Sequence, residues 1–309
     1  MALAQIDVAC EELEGEESGA VSELAVHETR KALKRLRALL RLLAHRLPDG
    51  RFAHENAALR DLARRLAGAR DAAVMLGTLD ALIERHPRKL AARRGVIALR
   101  ARLLAEHQRA RRGMLADLDT RRQTLGELRA FRLRVLAWDL NAAEGVELAA
   151  PGLRRIYSQG RARYERAERG MGNRVRTMHQ WRKRVKDLRY AAEMLELRDT
   201  PPAGSAAAAQ GARSGTGELR RLADRAERLG EVLGDEHDLA VLADSIRSRS
   251  ARGTPKTDRI GRGSSQALLQ LIARRRRKLR RRALREGERL YRRSPKRLER
   301  EIRRARPIS

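Results

Sequence analysis

The chain has a single cysteine, Cys10. An internal disulfide is therefore excluded, and the usage fits a reducing compartment. Aromatic residues make up only 3% of the 309 residues, so a core has to be built from Leu, Ala and Val. Their scarcity also weakens one nucleic-acid reading, because single-strand binders usually interleave aromatics with basic residues so that bases can stack. No apolar run of about 18 residues occurs, so neither a transmembrane helix nor a membrane partner is expected. Glu11, Glu12, Glu14, Glu16 and Glu17 stand where a signal peptide would need basic and then apolar residues. The expected location is the cytoplasm. Acids are also in deficit, 40 Asp and Glu against 70 Lys and Arg, for a formal charge of +30. Such an excess calls for a polyanionic partner: nucleic acid, an anionic surface or a phosphate polymer.

Alanine, leucine and arginine dominate, and alternating β-branched runs are nearly absent. These are strong helix formers, and the expected fold class is all-α. Residues 1–19 are expected to be a short, partly ordered acidic lead, either solvated or docked on the basic surface. A first long helix should run from near Ser22 to about Leu47 and stop at Pro48-Asp49-Gly50. Further helices are expected over 52–67, up to Pro87, over 89–118 and over 121–140. A second half should begin after Pro151-Gly152, with a long helix interrupted at Gly170-Met-Gly172. Residues 200–217 read as a flexible low-complexity insert. The last segment, about Ser264 to Arg306, should break at Ser294-Pro295. The resulting halves are 20–145 and 151–306.

One pattern occurs twice. His27-Glu-Thr-Arg-Lys-Ala-Leu-Lys-Arg-Leu-Arg is matched 152 residues later by His179-Gln-Trp-Arg-Lys-Arg-Val-Lys-Asp-Leu-Arg. At about 100° per residue, His27, Arg30, Lys31, Lys34, Arg37 and Arg41 form one stripe opposite Leu33, Leu36, Leu40 and Leu43. His179, Arg182, Lys183, Lys186 and Arg189 do the same opposite Val185, Leu188, Ala192 and Leu195. Like charges at these spacings repel by a few tenths of a kcal/mol per pair, and a polyanion along each stripe would replace that repulsion with charge-assisted hydrogen bonds. Downstream, Asp71 with Val74 is echoed by Asp238 with Val241. The interval from histidine to aspartate is 44 residues in one half and 59 in the other, and the excess is about the size of the insert.

Enzyme signatures are missing: there is no Walker-type loop, no G-x-S-x-G, no H-E-x-x-H and no zinc spacing. Asp235-Glu-His-Asp238 resembles a metal cluster, but only its final aspartate recurs in the first half, so a structural carboxylate is the preferred reading. With no nucleophile or leaving-group machinery beside them, His27 and His179 read as anion ligands rather than catalysts. The expectation is a binding protein, not an enzyme, with no cofactor and no metal. Nucleic acid is the rival partner, and a phosphate-metabolising enzyme is the rival activity.

The pattern His-x-x-Arg-Lys-x-x-Lys-x-Leu-Arg in both copies, with downstream Leu-x-x-x-x-Asp-x-x-Val segments, resembles the CHAD family, the conserved-histidine α-helical domain, over about residues 20–306. The resemblance implies two four-helix bundles of long antiparallel helices related by a pseudo-two-fold axis, with a basic central groove or pore that binds inorganic polyphosphate. It also implies association with polyphosphate granules and their proteins. By position it carries the ligand role to His27, Arg30, Lys31, Lys34, Arg37, Arg41, His179, Arg182, Lys183, Lys186 and Arg189. Arg109 and Arg281 are additional candidate contacts. Two departures stand out: Glu193 occupies the position of Arg41, and Asp187 that of Arg35.

Overall fold

The computed structural model describes residues 1–14, 23–66, 68–116, 118–138, 145–198, 215–251 and 260–304. The insert read at 200–217 lies almost entirely outside them. The described residues are helical, with no strand among them. In chain order the helices are α1 (Ala2–Glu14), α2 (Glu23–Leu43), α3 (Arg51–Arg65), α4 (Gly68–Arg85), the single turn α5 (Pro87–Leu90) and α6 (Arg94–Ala116). Then come α7 (Leu118–Leu136), α8 (Gly145–Glu168), α9 (Arg174–Arg198), α10 (Gly215–Ser250), α11 (Arg262–Tyr291) and α12 (Pro295–Arg304).

The acidic lead expected over residues 1–19 is a core helix in its described part, and residues 15–19 lie outside the described residues. Residues 2–14 form a helix that buries Ile6, Ala9 and Leu13 against α2 and α7. Spacing at i, i+3 and i+7 puts these three on one face, so the acids decorate the far side of a core helix. Arg129 and Arg132 of α7 pair with Glu14 and Asp7 at 2.8 Å each.

The buried residues form two clusters. The smaller joins α1, α2, α3 and α7 through Leu33, Leu36, Leu40, Leu59, Leu62, Leu128 and Phe131. The larger takes in α4, α6 and α8–α12, with Ala38 and Leu42 from α2. The division therefore does not fall between residues 145 and 151. Helices α4 and α6 pack on each other, and α4 also packs on α10, so their leucines join the second-half core. A buried Glu55 carboxylate in α3 takes both its oxygens to Arg134 of α7 at 2.9 Å.

The second half does not begin after Pro151. Helix α8 runs through that proline, which costs one ladder hydrogen bond, because Ala149, Ala150, Leu153 and Ile156 on either side are all buried. The next residue explains the close fit: a Cβ at Gly152 would lie 1.9 Å from the Leu42 carbonyl oxygen. Only glycine lets α8 press on the end of α2. Other stops fall where the sequence puts them. Gly50, Gly170 and Gly172 have φ of 73°, 66° and 76°, a region where side chains are strained.

Candidate functional site

The two stripe helices touch. Helix α2 packs directly on α9, and the tie is Asp187, one of the two departures from the repeat. Its carboxylate meets Arg41 of α2 at 3.3 Å and Arg184 of its own helix at 3.1 Å. Burial pushes the Asp187 carboxyl up and the Arg41 guanidinium down. Arg37 lies beside them, donating to Asn56 Oδ1 at 3.1 Å. Burial and the neighbouring Arg41 lower its pKa to about 10.

Toward the N-terminus of α9 the stripe enters a more crowded cationic space. The His179 ring lies against His237 of α10, centroids 4.4 Å apart. Arg182 lies over Gly234, where a Cβ would come within 3.7 Å of its guanidinium. Lys183 is exposed and Lys186 half-buried. Across the seam, Arg276 and Arg280 of α11 share the buried Glu236 carboxylate, at 2.8 and 2.9 Å. Burial is the first reason that both imidazoles sit at a pKa of about 4. The facing charges of Arg182, Lys183 and Lys186 push the same way on both rings, and Arg276 adds to this at His237. At neutral pH the pair is uncharged, and His179 Nδ1 is buried with no hydrogen-bond partner among the described residues. An anion reaching this seat would meet cations on two helices and could draw a proton onto either ring.

The α2 copy is arranged differently. His27 is exposed. Arg30 is turned to the Leu66 carbonyl at the end of α3, and Lys31 pairs with Glu28 at 3.2 Å. Lys34 is half-buried.

The expectation of open cations along the full length of both stripes is corrected at their C-terminal ends. Arg41 is held by Asp187, and Arg189 by Glu193 at 2.5 Å and Glu227 at 2.7 Å. Arg189 also lies over the Tyr190 ring at 5.5 Å. Arg109 is exposed and bonds back to its own helix at Ala105, while Arg281 is exposed one position beyond Arg280. Among the described residues neither bonds to the stripes.

The side chains of 235–238 go to separate places. Glu236 takes the two α11 arginines, and His237 takes His179. Asp235 and Asp238 line a cavity of about 350 Å³ between α4 and α10, with Val74, Thr78, Arg85 and Arg275. Burial raises the Asp235 carboxyl, and Asp238 raises it further. The repeated aspartates are not equivalent, since Asp71 is exposed in the first turn of α4. Sequence reasoning missed His237 as the partner of His179, and Arg276 as a further cation beside His237. A usable signal was Gly234, a position without a side chain three residues before a histidine on a helix that has to face α9.

All Trp, Tyr and Phe residues are among those described, and none is exposed. Trp181, inside the second copy of the pattern, is completely buried against Tyr164. Trp138 packs edge-on to Phe131. Two cation-bearing helices with one sequence pattern and no exposed aromatic match the family resemblance. The family model for the CHAD domain covers residues 4–247. The chain belongs to the CHAD domain family. No curated protein matches the chain. The CHAD match begins inside α1, consistent with the place of that helix in the core. It ends inside α10, so α11 and α12, with Arg276 and Arg280, are supplied from outside it. No helix among the described residues is long and apolar enough to cross a membrane.

Proposed function

We propose that this CHAD protein binds long-chain inorganic polyphosphate and does not hydrolyse it. One observation carries the reading: Arg182, Lys183 and Lys186 of α9, with Arg276 of α11 at His237, surround a close pair of neutral imidazoles. A phosphate chain supplies closely spaced charge without bases or sugars, which suits a surface that offers guanidinium, ammonium and imidazole groups and keeps its aromatics inside. His179, Arg182, Lys183, Lys186 and His237 form the principal ligand set. His27, Arg30, Lys31 and Lys34 extend it on α2. Direct packing of α2 on α9 supports two halves related about an axis near Asp187, with the basic groove at their junction. Binding of this kind would bring the protein to polyphosphate granules.

Competition binding with polyphosphates of defined length, RNA and DNA over a range of salt tests the proposal. Affinity should rise with chain length and fall steeply with salt as counterions are released, and polyphosphate should win at matched charge. Preference for RNA or DNA would favour the nucleic-acid reading. Release of orthophosphate with a divalent metal would make the protein an enzyme.

A further inference from the structure

We infer that the opening between α10, α11 and α12 is a second anion site, separate from the stripes, which takes a compact oligophosphate group. It is a cavity of about 540 Å³ lined by five arginines and two glutamates: Arg225, Arg289, Arg292, Arg293 and Arg297 with Glu218 and Glu301. The volume falls in the range of small-ligand sites.

The carboxylates are already committed. Glu218 and Glu301 converge on the Arg293 guanidinium at 2.8 and 2.6 Å, and Arg297 joins Glu301 at 2.8 Å. Both glutamates are held below the usual carboxylate range by these arginines, so the lining stays net cationic at neutral pH. Arg225 and Arg292 stand exposed at the rim, and neither has an acidic partner among the described residues. Fixing Arg293 at the base and leaving guanidinium forks around the edge is an arrangement that phosphate oxygens satisfy bidentately. No aromatic ring lines the opening, so the phosphates are recognised and an attached base is not. Arg225 lies twelve residues before His237, roughly 18 Å along α10, and every lining residue except Glu218 and Arg225 lies beyond the CHAD match.

The test is calorimetric titration of the full chain with tripolyphosphate at low salt, in wild type, in R225A/R292A and in K183A/K186A. Tripolyphosphate should bind wild type, lose at least about tenfold in affinity in R225A/R292A, and keep its affinity within about twofold in K183A/K186A. Long-chain polyphosphate should show the opposite pattern, which separates this site from the stripe proposal. ATP should bind no more tightly than tripolyphosphate. No binding to wild type, or undiminished binding to R225A/R292A, overturns the site. So does loss of tripolyphosphate binding in K183A/K186A, which would move the short anion onto α9. A comparable loss of long-chain affinity in R225A/R292A would make the cavity part of the polymer track, and much tighter ATP binding would overturn the ligand class.

Discussion

Helices α2 and α9 carry one pattern and live in different surroundings. Thr29 of α2 is buried and returns its hydroxyl to the Ala25 carbonyl at 2.8 Å, whereas the corresponding position on α9 is the fully buried Trp181. His27 faces solvent, and His179 lies tilted against His237. On α2, Arg30 caps a neighbouring helix end and Lys31 meets a glutamate, while on α9 Arg182 lies over Gly234 of α10. A repeated cation pattern fixes where charges sit along a helix but not what faces them. Burial strengthens an anion contact at His179 and His237, and exposure weakens one at His27.

The sharpest way to break the comparison is to remove the α9 cations. R182A/K183A/K186A gives up three charge-assisted contacts worth about 1.5–3 kcal/mol each, so long-chain polyphosphate affinity at moderate salt should fall by about a thousandfold or more. Circular dichroism should show helicity retained. An unchanged Kd in filter binding would remove α9 from the site.

The next largest effect belongs to the tie between the helices. Burial shifts both Asp187 and Arg41 toward their neutral forms, so desolvation offsets much of their attraction and the pair is a modest source of stability. Removing one partner is costly nonetheless. D187A leaves Arg41 and Arg37 facing Arg184 without a counterion, and should cost about 3 kcal/mol in urea unfolding. A midpoint equal to wild type would mean that α2 and α9 are held by their leucines alone.

Much of this arrangement was legible in the residues. Proline and glycine marked the helix stops at 48–50, 170–172 and 294–295, because backbone conformation there is local. The cationic stripes were legible because period and charge are local too. Three features were hidden for opposite reasons. Helix α1 was masked by its acids, which outnumber the Ile6, Ala9 and Leu13 that bury it. Pro151 read as a boundary because prolines usually end helices, and only tertiary packing on Leu42 explains its place inside α8. His237 and Arg276 lie 58 and 97 residues beyond His179, and no period connects groups that meet across helices. The neutralisation of Arg189 was half visible, since Glu193 is four residues along the same helix, but Glu227 is not.

A smaller effect is expected from the matching change on α2. In R30A/K31A/K34A the lost groups include one shared with a backbone carbonyl and one shared with Glu28, so polyphosphate affinity should drop only about tenfold. Stability should also fall, because the Leu66 carbonyl loses its donor. Titration of this variant beside the α9 variant reads the asymmetry directly. Equal losses from both would mean that the two copies contribute alike, and the contrast between exposed His27 and enclosed His179 would carry no functional weight.

The smallest effect concerns protons. His179 and His237 have folded pKa values of about 4 against an ordinary 6.5, so the unfolded chain binds more protons over that interval. Their contribution to stability is present above pH 6.5 and is lost as the pH falls toward 4. A bound polyanion offsets the repulsion from Arg182, Lys183, Lys186 and Arg276 and pulls both pKa values upward. Affinity for polyphosphate should therefore rise a few-fold between about pH 7 and pH 5 while the free protein becomes less stable. Calorimetry in buffers of different ionisation enthalpy should detect proton uptake on binding in wild type, and markedly less in H179Q/H237Q. Equal uptake in both would place the titrating groups away from the His179–His237 pair.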